Sequence, residues 1–163
     1  MLNLVEYNFS HLPKLIEYLN DEEVTKWLCN IPSPYTQEHA NRWLGFCREC
    51  ELSRTCYPRA IELNKLMIGH VELKLIFQHS AEISYWLGKP YWNQGYATIA
   101  VKQMLNFAFV DLELKRVQAY VFDGNISSIK VLEKCGFKYE GYLRKSHIQR
   151  DKFINSLLYS III

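Results

Sequence analysis

The residues best placed for chemistry are Pro90-Tyr91-Trp92-Asn93-Gln94-Gly95-Tyr96-Ala97-Thr98, which follow an apolar stretch, Ala81 to Leu87, and run into a long amphipathic segment. A helix that starts in such a loop leaves its first backbone N–H groups unpaired at the positive end of its dipole, so the loop reads as a cradle for an anion. Gly95 lets the backbone come close to whatever is held there. A second polar signal, Asn125-Ile126-Ser127-Ser128, opens a short helix ending at Cys135-Gly136-Phe137, spaced to fold back over the same sheet. Each signal also has a plain reading: a strand-to-helix turn around a buried Trp92, a turn residue at Asn125, and an N-cap at Ser127 or Ser128.

The cysteines carry less. Cys29, Cys47, Cys50, Cys56 and Cys135 are odd in number and follow no framework spacing, which suits a reducing compartment. Cys47-Arg48-Glu49-Cys50 has the C-x-x-C form, but a closed zinc site needs about four ligands and no second Cys or His pair accompanies it, so no metal is expected. The pair sits where Ala40, Trp43, Leu44 and Cys47 mark an apolar helix face, which makes it partly buried small hydrophobes.

These residues need a scaffold. The 163 residues are 49% hydrophobic, enough for one core, and residues 1–163 read as one domain. The net charge is +2 with Lys and Arg scattered, which argues against nucleic acid as the main ligand. No N-terminal segment pairs a basic region with an apolar core, and the apolar runs are too short to cross a bilayer, so a soluble, cytoplasmic protein is expected.

The pattern predicts a strand over 2–7, a helix from about Ser10 with Ser10 as N-cap and Pro13 in its first turn, and a short helix from Asp21 to Leu28. Pro32-Ser33-Pro34 breaks the chain, and Thr36 caps the helix carrying Ala40 and Trp43. Segments 57–63, 66–77 and 81–87 form an antiparallel meander with a turn at Asn64-Lys65. A helix from about Gly95 to Leu112 puts Ala97, Ala100, Val101, Met104, Leu105 and Ala108 on one face, and a strand over 116–122 follows, making a locally parallel crossover. Helix 127–135 and strands near 138–148 and 152–162 complete an α/β chain with a mixed sheet.

Taken as an ordered set, Trp27-Leu28 with the following Pro-Ser-Pro-Tyr-Thr, Ala81 to Leu87, Tyr91 to Ala100, Asn125 to Ser128, Val131 to Phe137 and Glu140-Gly141-Tyr142-Leu143-Arg144 resemble the GNAT acyltransferases. Within them the chain is similar to the branch that includes the RimJ and RimL ribosomal-protein N-terminal acetyltransferases, over essentially its whole length. The resemblance implies a mostly antiparallel central sheet with a splayed parallel strand pair and flanking helices, and acetyl-CoA as acetyl donor. In the family pattern Q/R-x-x-G-x-G/A, Gly95 and Ala97 match, while Trp92 stands where Gln or Arg is usual. The implied cofactor residues are Asn93, Gln94, Gly95, Tyr96, Ala97 and Thr98 for the pyrophosphate, the backbone of Tyr85, Trp86 and Leu87 for pantetheine, and Asn125 with Ser128.

Acetyl transfer to an amine needs a base, donors for the developing oxyanion and an acid for the leaving thiolate. Many relatives carry a Tyr acid one turn before the Gly-Phe pair, but here that position is Leu132, so Ser128 is the implied hydrogen-bond donor to the thiol end. His147, where RimL-like enzymes carry a Glu, and Glu82, on the strand leading to the cradle, are the two implied bases; each has the alternative of a half-exposed strand residue. His11, His39, His70 and His79 are expected to be structural or exposed, and Tyr35, Tyr142 and Arg144 to line the acceptor side. The implied activity is N-acetyl transfer to a primary amine, foremost a protein N-terminal α-amine. The alternatives are a small-molecule amine, or a non-catalytic acyl-CoA-binding module, in a monomer or homodimer.

Overall fold

The computed structural model describes residues 1–163. Seven strands form one sheet in the order β1-β2-β3-β4-β5-β7-β6. They are β1 (Leu2–Val5), β2 (Cys56–Leu63), β3 (Leu66–Phe77), β4 (Ser80–Leu87), β5 (Arg116–Phe122), β6 (Lys138–Gln149) and β7 (Lys152–Ile162). Every neighbouring pair is antiparallel except β4 and β5. That parallel pair has three rungs, Ser80 opposite Arg116, Ala81 opposite Val117 and Glu82 opposite Gln118. Beyond Glu82 the two strands part, so residues 83–87 leave one backbone edge without a strand partner.

The helices are α1 (Leu12–Leu19), α2 (Glu22–Thr25), α3 (Gln37–Ser53), α4 (Tyr96–Asn106) and α5 (Ile126–Lys134). Period-two alternation sends Val71, Leu73, Ala81, Ile83, Val117, Ala119 and Val121 into a core beneath α4, where Ala100, Val101, Met104 and Leu105 meet them. The opposite face holds a second cluster, in which Tyr7, Leu15, Ala40, Leu44 and Cys47 pack on Ala60 and Met67. Helices therefore cover both faces of the divided strands.

The hairpin turns follow from local chemistry. Asn64 and Lys65 both take positive φ, 51° and 68°, the hand that suits a twisted two-residue β-turn, and Arg150 and Asp151 repeat it between β6 and β7. Thr36 caps α3 by accepting the His39 N–H. Three local details differ from the sequence pattern. The first helix is entered through a 3-10 turn, Phe9–His11, and its cap is Asn8 rather than Ser10, because the longer amide side chain reaches the Ser10 N–H at 2.9 Å. The helix expected to run to Leu112 keeps α-geometry only to Asn106 and finishes as a π-helical turn, Phe107–Asp111. Cys50 bonds to Cys56, not within the C-x-x-C segment, because Arg54 in the left-handed region turns the chain from α3 into β2 and brings the two Cα atoms to 5.0 Å. The cysteine count and spacing offer no pairing; Cys29, Cys47 and Cys135 are free.

Candidate active site

The parting of β4 and β5 opens a cavity of about 960 Å³ lined from both faces of the sheet. On the α4 and α5 side its first wall is the loop before α4. Gly95 is the helix N-cap with φ 84°, a conformation that favours glycine, and no side chain caps the helix. The first N–H groups of α4 therefore face outward unpaired, and a Cβ built on Gly95 would meet nothing within 4 Å, so the space in front of them is open.

Neighbouring residues are placed by the same loop. Asn93 takes φ 59°, and Asn93, Tyr96, Ala97 and Thr98 line the cavity. Gln94 does not: its amide donates to the Pro90 carbonyl at 2.8 Å, which turns the side chain back along the loop. Trp92 donates its indole N–H to the Leu87 carbonyl at 2.8 Å. One of the three backbone groups expected to face pantetheine is thus already engaged, and Trp86 turns its carbonyl toward Gly69 of β3, which leaves the Tyr85 backbone at the strand gap.

The α5 wall carries Asn125 and Ser128. The cap of α5 falls on Asn125, not on Ser127 or Ser128: its Oδ1 accepts the Ser128 N–H at 3.2 Å, while the residue still lines the cavity. The Ser128 hydroxyl lies 2.9 Å from the Tyr85 hydroxyl, which also donates to the Ser128 carbonyl at 3.1 Å. Lys130 and Lys134 line the same wall. Their i, i+4 spacing on the face beginning at Asn125 was a signal the motif reading passed over. Leu132 is completely buried in the core, facing away from the cavity.

On the opposite side, Glu82 sits at the last rung of the parallel pair. Burial pushes its carboxyl above the ordinary carboxylate range, partly offset by Lys74. Glu72 lines the cavity too, raised first by burial and further by Glu82. The link between them is register: Glu72 lies opposite Ser84, two residues from Glu82 on the same face of β4. Neither carboxylate is held in an ion pair.

Aromatic rings surround this acidic pair. His70 stacks on Trp86 at 6.1 Å and meets Trp43 edge-on at 5.4 Å. Burial holds its imidazole down at about 3, so it is neutral and adds no countercharge. His70, expected to be merely structural, is therefore a cavity wall. His147 also reaches the cavity, its ring against Tyr120 at 5.3 Å and Phe122 at 5.5 Å, with its pKa lowered by burial. The Cys29 thiol at the rim is raised by burial and by Glu82, which keeps it protonated and a poor nucleophile. Tyr35, Tyr142 and Arg144 do not line this space. Tyr35 is buried in the second core, Tyr142 donates to Asp123 at 2.7 Å, and Arg144 is exposed on β6.

Comparison with known proteins bears on this arrangement. The acetyltransferase (GNAT) domain profile matches residues 1–138. This chain belongs to the GNAT family. An uncharacterized N-acetyltransferase of Bacillus licheniformis is 31% identical over 153 residues, covering 91% of this chain and 85% of the relative. A spermidine N(1)-acetyltransferase of Vibrio cholerae is 29% identical over 96 residues, 58% of this chain and 53% of that protein. The microcin C7 self-immunity acetyltransferase MccE, solved in complex with acetyl-CoA and AMP, shares the fold at a TM-score of 0.89 with 20% identity, over 99% of this chain and 92% of MccE. The seven-stranded, mostly antiparallel sheet with one parallel pair is the GNAT fold.

Acetyl-CoA, the donor this family uses, suits the residues present. An uncapped helix N-terminus with open space before it matches a pyrophosphate, and an unpaired strand edge matches an amide-bearing arm. No group of three or more His, Cys, Asp or Glu side chains converges anywhere in the fold.

Proposed function

We propose that this GNAT protein transfers acetyl from acetyl-CoA to a compact, cationic primary amine by direct attack, with Glu82 as the base. One observation carries the reading: Glu82 stands where β4 and β5 part, inside the cavity, unpaired and with a raised pKa. The donor supplies an acetyl thioester. Asn93, Gly95, Tyr96, Ala97 and Thr98 hold its pyrophosphate through backbone N–H groups, with Lys130 and Lys134 adding positive charge beside Asn125. Tyr85 presents its backbone at the free strand edge to the pantetheine arm.

The acceptor enters from the α1 and α3 side, where Glu72 and Glu82 favour an ammonium and the Trp43 and Trp86 rings can lie over it. Glu82 takes one proton from the ammonium, the amine nitrogen forms its bond to the acetyl carbon, the carbon–sulfur bond breaks with its electron pair going to sulfur, and the second proton of the acylated nitrogen passes to the departing thiolate to give amide and free CoA thiol. A protein N-terminal α-amine, with a pKa of about 8, meets the same demands at its tip. The compact acceptor is preferred because buried Tyr7 and His70, with Trp43 and Trp86, line the acidic part of the cavity and narrow it around the ammonium. The sequence relation to a spermidine acetyltransferase supports the same choice.

The test combines acetyl-CoA with mono- and diamines and with peptides bearing free N-termini, comparing wild type with Glu82→Gln and His147→Ala. Base catalysis contributes roughly 100- to 10,000-fold, so Glu82→Gln is expected to lower kcat by at least about 100-fold on every acceptor. Glu82 must be ionised to act, so kcat/KM falls as pH drops through its raised pKa, and the substitution removes that acid limb. A wild-type rate in Glu82→Gln with a large loss in His147→Ala would transfer the role to His147. Acetylation of peptides alone would return the acceptor to protein N-termini.

A further inference from the structure

We infer that the Tyr85 hydroxyl is a positioning group for the leaving thiolate, acting through Ser128; the inference rests on the acetyl-transfer reading above. The family's phenol position on α5 is Leu132, wholly enclosed in the core, so that helix cannot present a phenol to the cavity. A phenol arrives from the neighbouring strand instead. Tyr85 leaves β4 three residues past the last rung with β5 and crosses to the first turn of α5, where its hydroxyl lies 2.9 Å from Ser128 Oγ and 3.1 Å from the Ser128 carbonyl.

The path of the donor fixes why this pair matters. At about 3.3 Å per residue, the strand edge from Glu82 to Leu87 spans roughly 17 Å between the acyl end and the cradle. Tyr85 and Ser128, joined by their hydroxyls, both line the cavity beside that path. Without a donor, Tyr85 donates to the Ser128 carbonyl and can accept the Ser128 O–H. With a thioester beside it, Ser128 turns its O–H to sulfur while Tyr85 donates to Ser128 Oγ, and the linked hydrogen bonds reinforce one another.

Tyr85 is not the acid. Burial pushes its pKa far above that of an ordinary phenol, so it stays protonated and remains a donor through the reaction. As the carbon–sulfur bond breaks, the electron pair goes to sulfur and Ser128 donates a hydrogen bond to it. Of the two protons the ammonium loses, one goes to Glu82 and the other, from the acylated nitrogen, goes to the departing thiolate; none leaves Tyr85.

Three variants test this: Tyr85→Phe, Ser128→Ala and the double variant, each with acetyl-CoA and the best amine acceptor. Each single variant is expected to lower kcat about tenfold, the rate equivalent of one lost hydrogen bond to a developing charge, with the acetyl-CoA KM changed less than about twofold. The double variant should be no slower than Ser128→Ala, because the two side chains act as one unit. A second readout needs no acceptor: the thiolate absorbance of bound CoA, titrated with pH, should show a thiol pKa raised by about 1 in Tyr85→Phe. A lowered Tm with unchanged kcat and thiol pKa, or additive losses in the double variant, would overturn the inference and leave the acetyl-transfer reading standing. Failure of wild type to bind CoA would overturn both.

Discussion

Leu132 and Glu82 show how one side chain can reassign a site. At the position where many relatives carry a phenol, Leu132 is completely buried among core residues. Restoring the family residue should therefore not restore an acid. Leu132→Tyr is expected to cost about 1–3 kcal/mol by overpacking and to leave kcat at or below wild type, read by urea unfolding and steady-state rates. A faster enzyme would show that the ring can escape into the cavity. The complementary Leu132→Ala should cost about 2–5 kcal/mol, since it leaves a hole under α5 that close packing cannot fill. Glu82 was legible as a residue of interest from its place before the cradle. Its partner Glu72 was not, because twelve-residue β3 carries no motif and only the pairing with β4 brings the two carboxylates to one face.

At the scale of elements, the strand-loop-helix unit of β4 and α4 is the most predictable part of the molecule. Its sequence order states the geometry: strand, left-handed glycine, helix without a side-chain cap. Gly95→Val would force a β-branched residue to φ 84° and put a side chain before the free N–H groups. Acetyl-CoA affinity should fall at least about tenfold by calorimetry, and unchanged binding would refute the cradle. Strand β6 shows the opposite case. Alternation alone cannot place His147, because the pairing with β7 shifts between Leu143 and His147, where Lys145 takes φ 51° and donates its N–H to Asn155. That irregularity resets which residues face Tyr120 and Phe122.

At the scale of the whole molecule, the cavity is a void that folding keeps open between two cores, and its neutral histidine should register in stability. His70 holds a pKa of about 3 when folded, against about 6.5 when unfolded. The unfolded chain therefore binds the extra proton as pH falls below about 6.5, and stability drops by up to about 1.4 kcal/mol per pH unit until the folded pKa is reached. The raised carboxyls of Glu72 and Glu82 act with the opposite sign above about 4.5, so the comparison is made against His70→Gln. Between pH 4.5 and 6.5 that variant should show a flatter dependence of unfolding free energy, measured in urea. Parallel curves would mean that His70 is not held neutral.

What the order of residues alone determined is local and periodic: the strands of the meander, the crossover helix, the N-cap at Thr36, and the glycine at the cradle. These depend on interactions within a few residues or on a repeating pattern, and both are written linearly. The tertiary structure decided what depends on register and crossing. It put Glu72 beside Glu82 and joined Tyr85 to Ser128. Tyr85 and Ser128 are 43 positions apart, and only the geometry of a sheet closing against a helix brings their hydroxyls within reach.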